Sequence, residues 1–331
     1  MLSNWLGGSR KGLAGFTRSF RRKTDFMRSR VLVTGAYGFV GRHVARAVAR
    51  RGAEVTAIGH GSWSRDEWRD WGIAQWHPTD VTIDSLATYG GAPEAVFHCA
   101  GSGSVAFSLS HPYQDYQRTV ATTHSVLEYI RTSHSGAKLV LPSSAGVYGV
   151  ATVLPTSVEA PLNPVSPYGL HKKLAEDLCR SYGRHFGVRS AIVRLFSIYG
   201  TGLRKQLLWD ACAKLTQGEA LFGGTGEETR DWLHIEDAAA LMIAAADHGS
   251  ADCPVVNGGT GEATSIKVIL CTIADELGAQ VDLKFSGQAR PGDPAHYQAE
   301  IAEALAWGWK PSRRWSDETR AYVRWFKEGA H

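Results

Sequence analysis

Long apolar runs are missing from this sequence of 331 residues. None approaches the roughly 20 residues that a helix needs to cross a bilayer. Cysteine is scarce: Cys99, Cys179, Cys212, Cys253 and Cys271 stand apart, with no C-x-x-C spacing and no accompanying histidine pattern. Neither a zinc site nor a disulfide framework is indicated, no metal is expected, and a reducing cytoplasm fits the thiols. Acidic residues are nearly absent from residues 1–30, where Asp25 alone faces eight of the 36 Lys and Arg. The remainder holds 28 basic and 31 acidic residues, so the net charge of +4 belongs to that segment and gives a nucleic-acid partner no support. Residues 1–29 read as a flexible basic leader, because Gly7, Gly8, Gly12 and Gly15 weaken any helix. A lipid-facing arm and an organelle presequence are the other readings; the apolar stretch of a secretory signal is missing.

What remains is 44% hydrophobic and 21% charged, enough for a sizeable core. From residue 30, short β-branched runs alternate with helical stretches, the pattern of an α/β fold: a Rossmann-type, doubly wound parallel sheet. Strands are expected at Val31–Thr34, Glu54–Ile58, Ala95–His98, Lys138–Pro142 and Arg189–Phe196. Helices are expected at Phe39–Arg51, Tyr113–Arg131 and Tyr168–Phe186. Residues 30–200 form the dinucleotide domain in this reading. Residues 201–331 form a smaller C-terminal substrate-binding lobe, interleaved with the last strands, with helices at Gln206–Thr216, Ile235–Asp247, Ile266–Leu277 and Asp317–Lys327 and a strand at Ala220–Phe222.

Between the first strand and helix lies Thr34-Gly35-Ala36-Tyr37-Gly38-Phe39-Val40-Gly41. Glycines here permit a tight turn, and the following helix directs unpaired N–H groups at a pyrophosphate. Gly35, Tyr37, Gly38, Phe39, Val40 and Gly41 are therefore candidate cofactor contacts. An NAD site commonly has an acid at the end of the second strand, on the adenosine ribose. This chain has Gly59-His60-Gly61-Ser62 there. His60, Ser62 and Arg65 would instead supply donors to a 2′-phosphate, which favours NADP over NAD. Asp80, before Val81, is a candidate acceptor for the adenine amino group or, equally, a helix cap.

Two later segments carry chemistry. Ser144 stands at the end of a strand, and Tyr168 precedes Lys172 by four residues at a helix start. Four-residue spacing puts the phenol and the ammonium on one face. A free tyrosine, with a pKa of about 10, is a poor base at neutral pH; a nearby lysine and a nicotinamide charge would favour its phenolate. Ser144 would share the proton traffic.

These segments, with His98-Cys99-Ala100-Gly101 and the Pro161–Tyr168 stretch, occur in the order of a known family. The chain resembles the extended short-chain dehydrogenase/reductases of the nucleotide-sugar epimerase, dehydratase and reductase group, UDP-glucose 4-epimerase included, over residues 30–315. The resemblance implies an NAD(P) cofactor touched also by Cys99, Ala100, Gly101, Tyr168 and Lys172, and a nucleotide-diphosphate sugar as substrate. It implies catalysis by Ser144, Tyr168 and Lys172. It places Phe222 near the nucleotide base, Arg230 and Arg290 on the diphosphate and Asp293 on the ribose, with Ser197 a substrate contact where the family often has Asn. Thr119 likewise replaces a usual Asn. A homodimer built from the helices at Tyr113–Arg131 and Tyr168–Phe186 is also implied.

The 4,6-dehydratases of the group place an Asp-Glu pair directly after the serine; Ala145-Gly146 stands here, and neither residue can move a proton. A 4-epimerase is the leading expectation. An NADPH-dependent 4-ketosugar reductase is the second, and a non-catalytic dinucleotide sensor the third, opposed by the intact Ser144, Tyr168 and Lys172. Trp63, Trp68, Trp71 and Trp76 read as a local hydrophobic patch, with shelter of the adenine end as the other reading.

Overall fold

In the strand Arg30–Thr34, Val31 and Val33 enter one buried cluster and Leu32 enters another, because successive side chains of a strand point to opposite faces. That two-sided burial sets the architecture. The computed structural model describes residues 29–133, 136–288 and 294–329. Apart from Ser29, the expected basic leader lies outside the described residues.

The first part of the chain runs β1 (Arg30–Thr34), α1 (Phe39–Ala49), β2 (Glu54–Gly59), α2 (Arg65–Asp70), β3 (Gln75–Pro78), α3 (Ile83–Tyr89) and β4 (Ala95–His98). It continues through α4 (Val105–Ser110), α5 (Pro112–Tyr116), a π-helical turn (Gln117–Ala121), α6 (Thr122–Ser133), β5 (Lys138–Ser144), a 3-10 turn (Ala145–Val147), α7 (Pro167–Phe186) and β6 (Ser190–Leu195). The remainder is β7 (Ser197–Tyr199), α8 (Gln206–Thr216), β8 (Leu221–Phe222), β9 (Thr229–His234), α9 (Ile235–His248), β10 (Val255–Gly258), β11 (Ala263–Ser265), α10 (Ile266–Leu277), β12 (Lys284–Phe285), α11 (Ala302–Ala306) and α12 (Trp315–Lys327).

Seven strands form one parallel sheet in the order β10-β6-β5-β4-β1-β2-β3. The chain leaves β1 toward β2 and β3, then returns to lay β4 against the other side of β1. This reversal opens a crevice at the carboxyl ends of β1 and β4, where doubly wound sheets bind their ligands. Val44, Val48, Leu241 and Met242 of α1 and α9 cover one face; Leu86, Val126, Leu127 and Cys179 of α3, α6 and α7 cover the other. A third cluster joins α8, α10 and α12 through Leu208, Ile269, Tyr322 and Phe326, beside the β11-β9-β7 sheet and the β12-β8 pair.

The helix expected across Tyr113–Arg131 is broken into pieces. Pro112 starts α5 at its first turn, since it has no N–H to continue α4. The π turn then shifts the register around Thr119, a local device often found beside functional sites.

Candidate active site

Gly35 turns the chain at φ +67°, and a Cβ there would lie 2.5 Å from the Ala100 amide, so only glycine lets β1 pass this close to the end of β4. Helix α1 starts on Gly38, which offers no side chain to cap its first-turn N–H groups. Those donors and the helix dipole suit a phosphate, so the loop fits a dinucleotide. Gly38, Phe39, Val40, Cys99 and Gly101 line a cavity of about 510 Å³ that also reaches Ser144, Tyr168 and Lys172. Beneath it, the Thr34 hydroxyl and His98 Nδ1 meet at 2.7 Å and tie β1 to β4. Burial, with Lys172 adding repulsion, pushes the His98 pKa down to about 3.

At the end of β2 the structure pairs two predicted cofactor residues with each other: His60 Nε2 lies 2.7 Å from Asp80 Oδ1, both well exposed. Asp80 does not cap α3. Thr82 does, through a reciprocal capping box with Ser85. Val81 is buried with Ile58 and Leu86, while Ser62 and Arg65 stay exposed. The four tryptophans pack partly buried against the core, with Trp63 edge-on to both Tyr37 and Trp76.

Ser166 caps α7 by accepting from the Gly169 amide, which sets Pro167 and Tyr168 in the first turn. A Cβ at Gly169 would stand 2.3 Å from the Gly146 carbonyl oxygen, so the helix rests directly on the 3-10 turn that follows Ser144. Ser144 Oγ and the Tyr168 ring as a result both flank Gly146, 3.4 and 3.5 Å from a Cβ placed there, and both line the cavity. One turn on, the Lys172 ammonium lies 6.0 Å from the Tyr168 ring centroid and donates to the Pro142 carbonyl at 3.1 Å. Desolvation lowers the Lys172 pKa, against the attraction of Cys99, Asp115 and Glu176.

Desolvation also raises the Tyr168 pKa, opposed by the nearby Ser144 hydroxyl and aided by Asp115. The lowering expected from the lysine is therefore not seen in the chain by itself; the Lys172 ammonium donates to the Pro142 carbonyl and makes no hydrogen bond to the phenol. Thr119, which replaces the usual Asn, accepts from the Ser102 amide at 3.2 Å and so fixes the loop beyond Gly101.

Sequence reasoning missed a buried network below Ser144. Glu176 accepts from Ser143 at 2.6 Å and from both Nε and a terminal nitrogen of Arg194. Arg194 also donates to Tyr148, which donates to Asn257. Two signals pointed to it: an arginine inside the otherwise apolar β6, and Glu176 one turn beyond Lys172 on the same stripe of α7.

At the far end, Ser197, Phe222 and Arg230 all line the cavity, joined by Ser102, Lys205 and Tyr297, which sequence reasoning did not single out. Arg230 donates to the Thr229 and Ala295 carbonyls and lies over the Tyr297 ring. Arg290 and Asp293 lie outside the described residues. Glu228, the sole carboxylate on the cavity wall among the described residues, is engaged by the Thr225 and Gly226 amides.

The family described as NAD dependent epimerase/dehydratase matches residues 31–258, from the first strand through the last strand of the central sheet. The chain belongs to that family. It is 28% identical over 311 residues to a putative UDP-glucose 4-epimerase of Methanocaldococcus jannaschii, covering 90% of this chain and 98% of that one. It is 29% identical over 303 residues to a UDP-glucose 4-epimerase of Azospirillum brasilense, covering 84% and 86%. A solved UDP-glucuronic acid 4-epimerase from Bacillus cereus, in complex with UDP-glucuronic acid and NAD, superposes with a TM-score of 0.79 at 25% identity, covering 90% and 99%. Like the family, this epimerase/dehydratase chain is an NAD(P)-dependent enzyme of the extended short-chain dehydrogenase/reductase type. None of its described helices is long and apolar enough to cross a membrane.

Proposed function

We propose that this enzyme is a UDP-sugar 4-epimerase that works by transient oxidation at sugar carbon 4, with Tyr168 as the acid/base. The observation that carries the reading is the meeting of Ser144 and Tyr168 around Gly146, one turn from Lys172, on a cavity that runs from the glycine loop to Arg230. Bound in the crevice, the nicotinamide dinucleotide supplies a hydride acceptor that later returns the hydride. Ser144 orients the carbon-4 hydroxyl, and Tyr168 takes its proton. Lys172, anchored on Pro142, holds positive charge near the phenol and lowers the cost of its phenolate once a cofactor charge joins it. Arg230 steadies the diphosphate with a guanidinium fork. The 4-keto sugar then turns over within the cavity, and Tyr168 gives the proton back. No pair of acids stands after Ser144, which opposes dehydration.

A second reading, a 4-ketosugar-nucleotide reductase, draws support from one feature: β2 ends in Gly59 and His60 with no carboxylate, as suits a consumed NADPH. The two part on one assay. Incubation with UDP-galactose and no added reductant yields UDP-glucose from an epimerase. Silence there, with stoichiometric NADPH oxidation on a 4-keto-6-deoxy sugar nucleotide, establishes the reductase.

The active unit in this reading is a homodimer. Tyr113, Leu170 and Phe186, on the elements expected to pair, are 74%, 45% and 55% exposed. Sedimentation at twice the chain mass supports it, and a monomer contradicts it.

A further inference from the structure

The end of β2 is where a nicotinamide site discriminates between a free and a phosphorylated adenosine ribose. An acid there accepts from the ribose hydroxyls and repels a 2′-phosphate. Gly59 and His60 supply no acid, and Asp80, the nearest one on β3's side, is held by His60 at 2.7 Å.

Arg42 of α1 faces this end of the sheet. Its guanidinium carbon stands 5.4 Å from the Tyr37 ring centroid, 5.3 Å from Trp63 and 5.4 Å from Trp71. One terminal nitrogen donates to the Tyr37 carbonyl in the glycine loop, which ties the side chain to the cofactor turn. Its Nε is buried with no partner among the described residues. It makes no ion pair among the described residues: Glu67 attracts it without reaching salt-bridge distance and accepts from the Ser64 amide at 2.8 Å. Burial lowers the Arg42 pKa, the mark of a cation that lacks a close counter-ion.

The surroundings complete an anion site. The Tyr37 ring lies on the backbone of Gly61, where a Cβ would come within 2.3 Å of it, so loop and strand end form one wall. Ser62 and Arg65, which follow Gly61 in the chain, are exposed, and their side chains make no hydrogen bond or ion pair among the described residues. Arg46 lies 3.7 Å from the Trp71 centroid and adds further positive charge. A planar guanidinium held between aromatic rings is pre-organised for a phosphate.

We propose that Arg42 is the specificity-determining residue of the cofactor site, reading the adenosine 2′-phosphate and selecting NADP(H) over NAD(H). Ser62, on the loop after β2, and Arg65, at the start of α2, assist it. The inference rests on the dinucleotide site alone and holds whether the hydride returns to the same sugar or not.

The test uses two adenosine probes on the whole protein, 2′,5′-ADP and 5′-AMP, with affinities read by calorimetry and by quenching of tryptophan fluorescence. Wild-type protein should bind 2′,5′-ADP about 10- to 100-fold more tightly, the worth of one or two charged hydrogen bonds. Arg42→Leu should bring the two affinities close together while 5′-AMP binds as before. Should the leucine variant fail to fold, Arg42→Gln, which keeps a polar head on a similar stem, gives the same reading. Equal binding of the probes by wild type, or an unchanged ratio in the variant, overturns the proposal. Loss of 5′-AMP binding from the wild type would instead overturn the cofactor site itself.

Discussion

Arg194 and Glu176 form a two-pronged ion pair beneath the strand end that carries Ser144, Nε to Oε1 at 3.0 Å and a terminal nitrogen to Oε2 at 2.8 Å. Both side chains are at most 2% exposed. The pair therefore links α7, with Tyr168 and Lys172, to the sheet, with Ser143 and Ser144. A hydrogen bond from Ser143 to Glu176 and one from Arg194 to Tyr148 complete it, so the catalytic strand end and the catalytic helix share one rigid foundation.

Removing one partner leaves the other charged and buried. Glu176→Gln should lower stability by about 3–5 kcal/mol, the usual cost of breaking a buried pair. Urea unfolding measures it. A change below about 1 kcal/mol, the scale of a surface ion pair, would show that the network is not the foundation described.

Tyr168→Phe removes only the hydroxyl. Turnover should fall by about 10²- to 10⁴-fold, the usual worth of a general acid/base, while cofactor and UDP-sugar affinities stay near wild type. Because burial raises the Tyr168 pKa in the chain alone, the wild-type activity should rise with pH, and bound cofactor should shift the rise toward neutrality. Direct binding measurements beside steady-state rates distinguish this from lost folding, and full activity in the variant would remove Tyr168 from the mechanism.

His98 links cofactor-site geometry to acid stability. Its pKa is pushed down to about 3 in the folded chain, below the ordinary 6.5, so between those values the unfolded chain takes up a proton that the folded chain refuses. The contribution is complete above pH 6.5 and drains away as pH falls toward 3, by about 1.4 kcal/mol per pH unit for one such group. His43, also pushed down to about 3 by burial, acts in the same direction. Stability measured across pH 3–7 should fall on the acid side, less steeply in His98→Asn. An NMR titration placing His98 near 6.5 would refute this.

The parts of the site legible in the sequence are those whose geometry is local. The glycine loop is a turn between adjacent elements, and Tyr168 and Lys172 meet because a helix repeats every 3.6 residues. Ser144 was placed by its strand end, and β1, β2, β4, β5 and β6 follow from the alternation of apolar runs with amphipathic helices, whereas no range was read for β3 or β10. Glu176 and Arg194 meet only because α7 crosses β6, and no periodicity within either element announces a partner. The same holds for His60 with Asp80, which join neighbouring strands β2 and β3. The π turn at Thr119 depends on how α6 packs against α7, a tertiary effect that overrides a continuous helical pattern. Arg42 was invisible for a different reason: an arginine on a helix is ordinarily solvated, and the cage of Tyr37, Trp63 and Trp71 exists only once α1, β2 and α2 are assembled.

The central claim is that the hydride leaves carbon 4 and returns to the carbon it left. UDP-galactose carrying deuterium at carbon 4 tests this most directly, with the protein supplied with cofactor and no external reductant. Mass spectrometry and NMR should find UDP-glucose with the deuterium still at carbon 4. Label lost from the product to free reduced cofactor, or no UDP-glucose at all, would contradict the account.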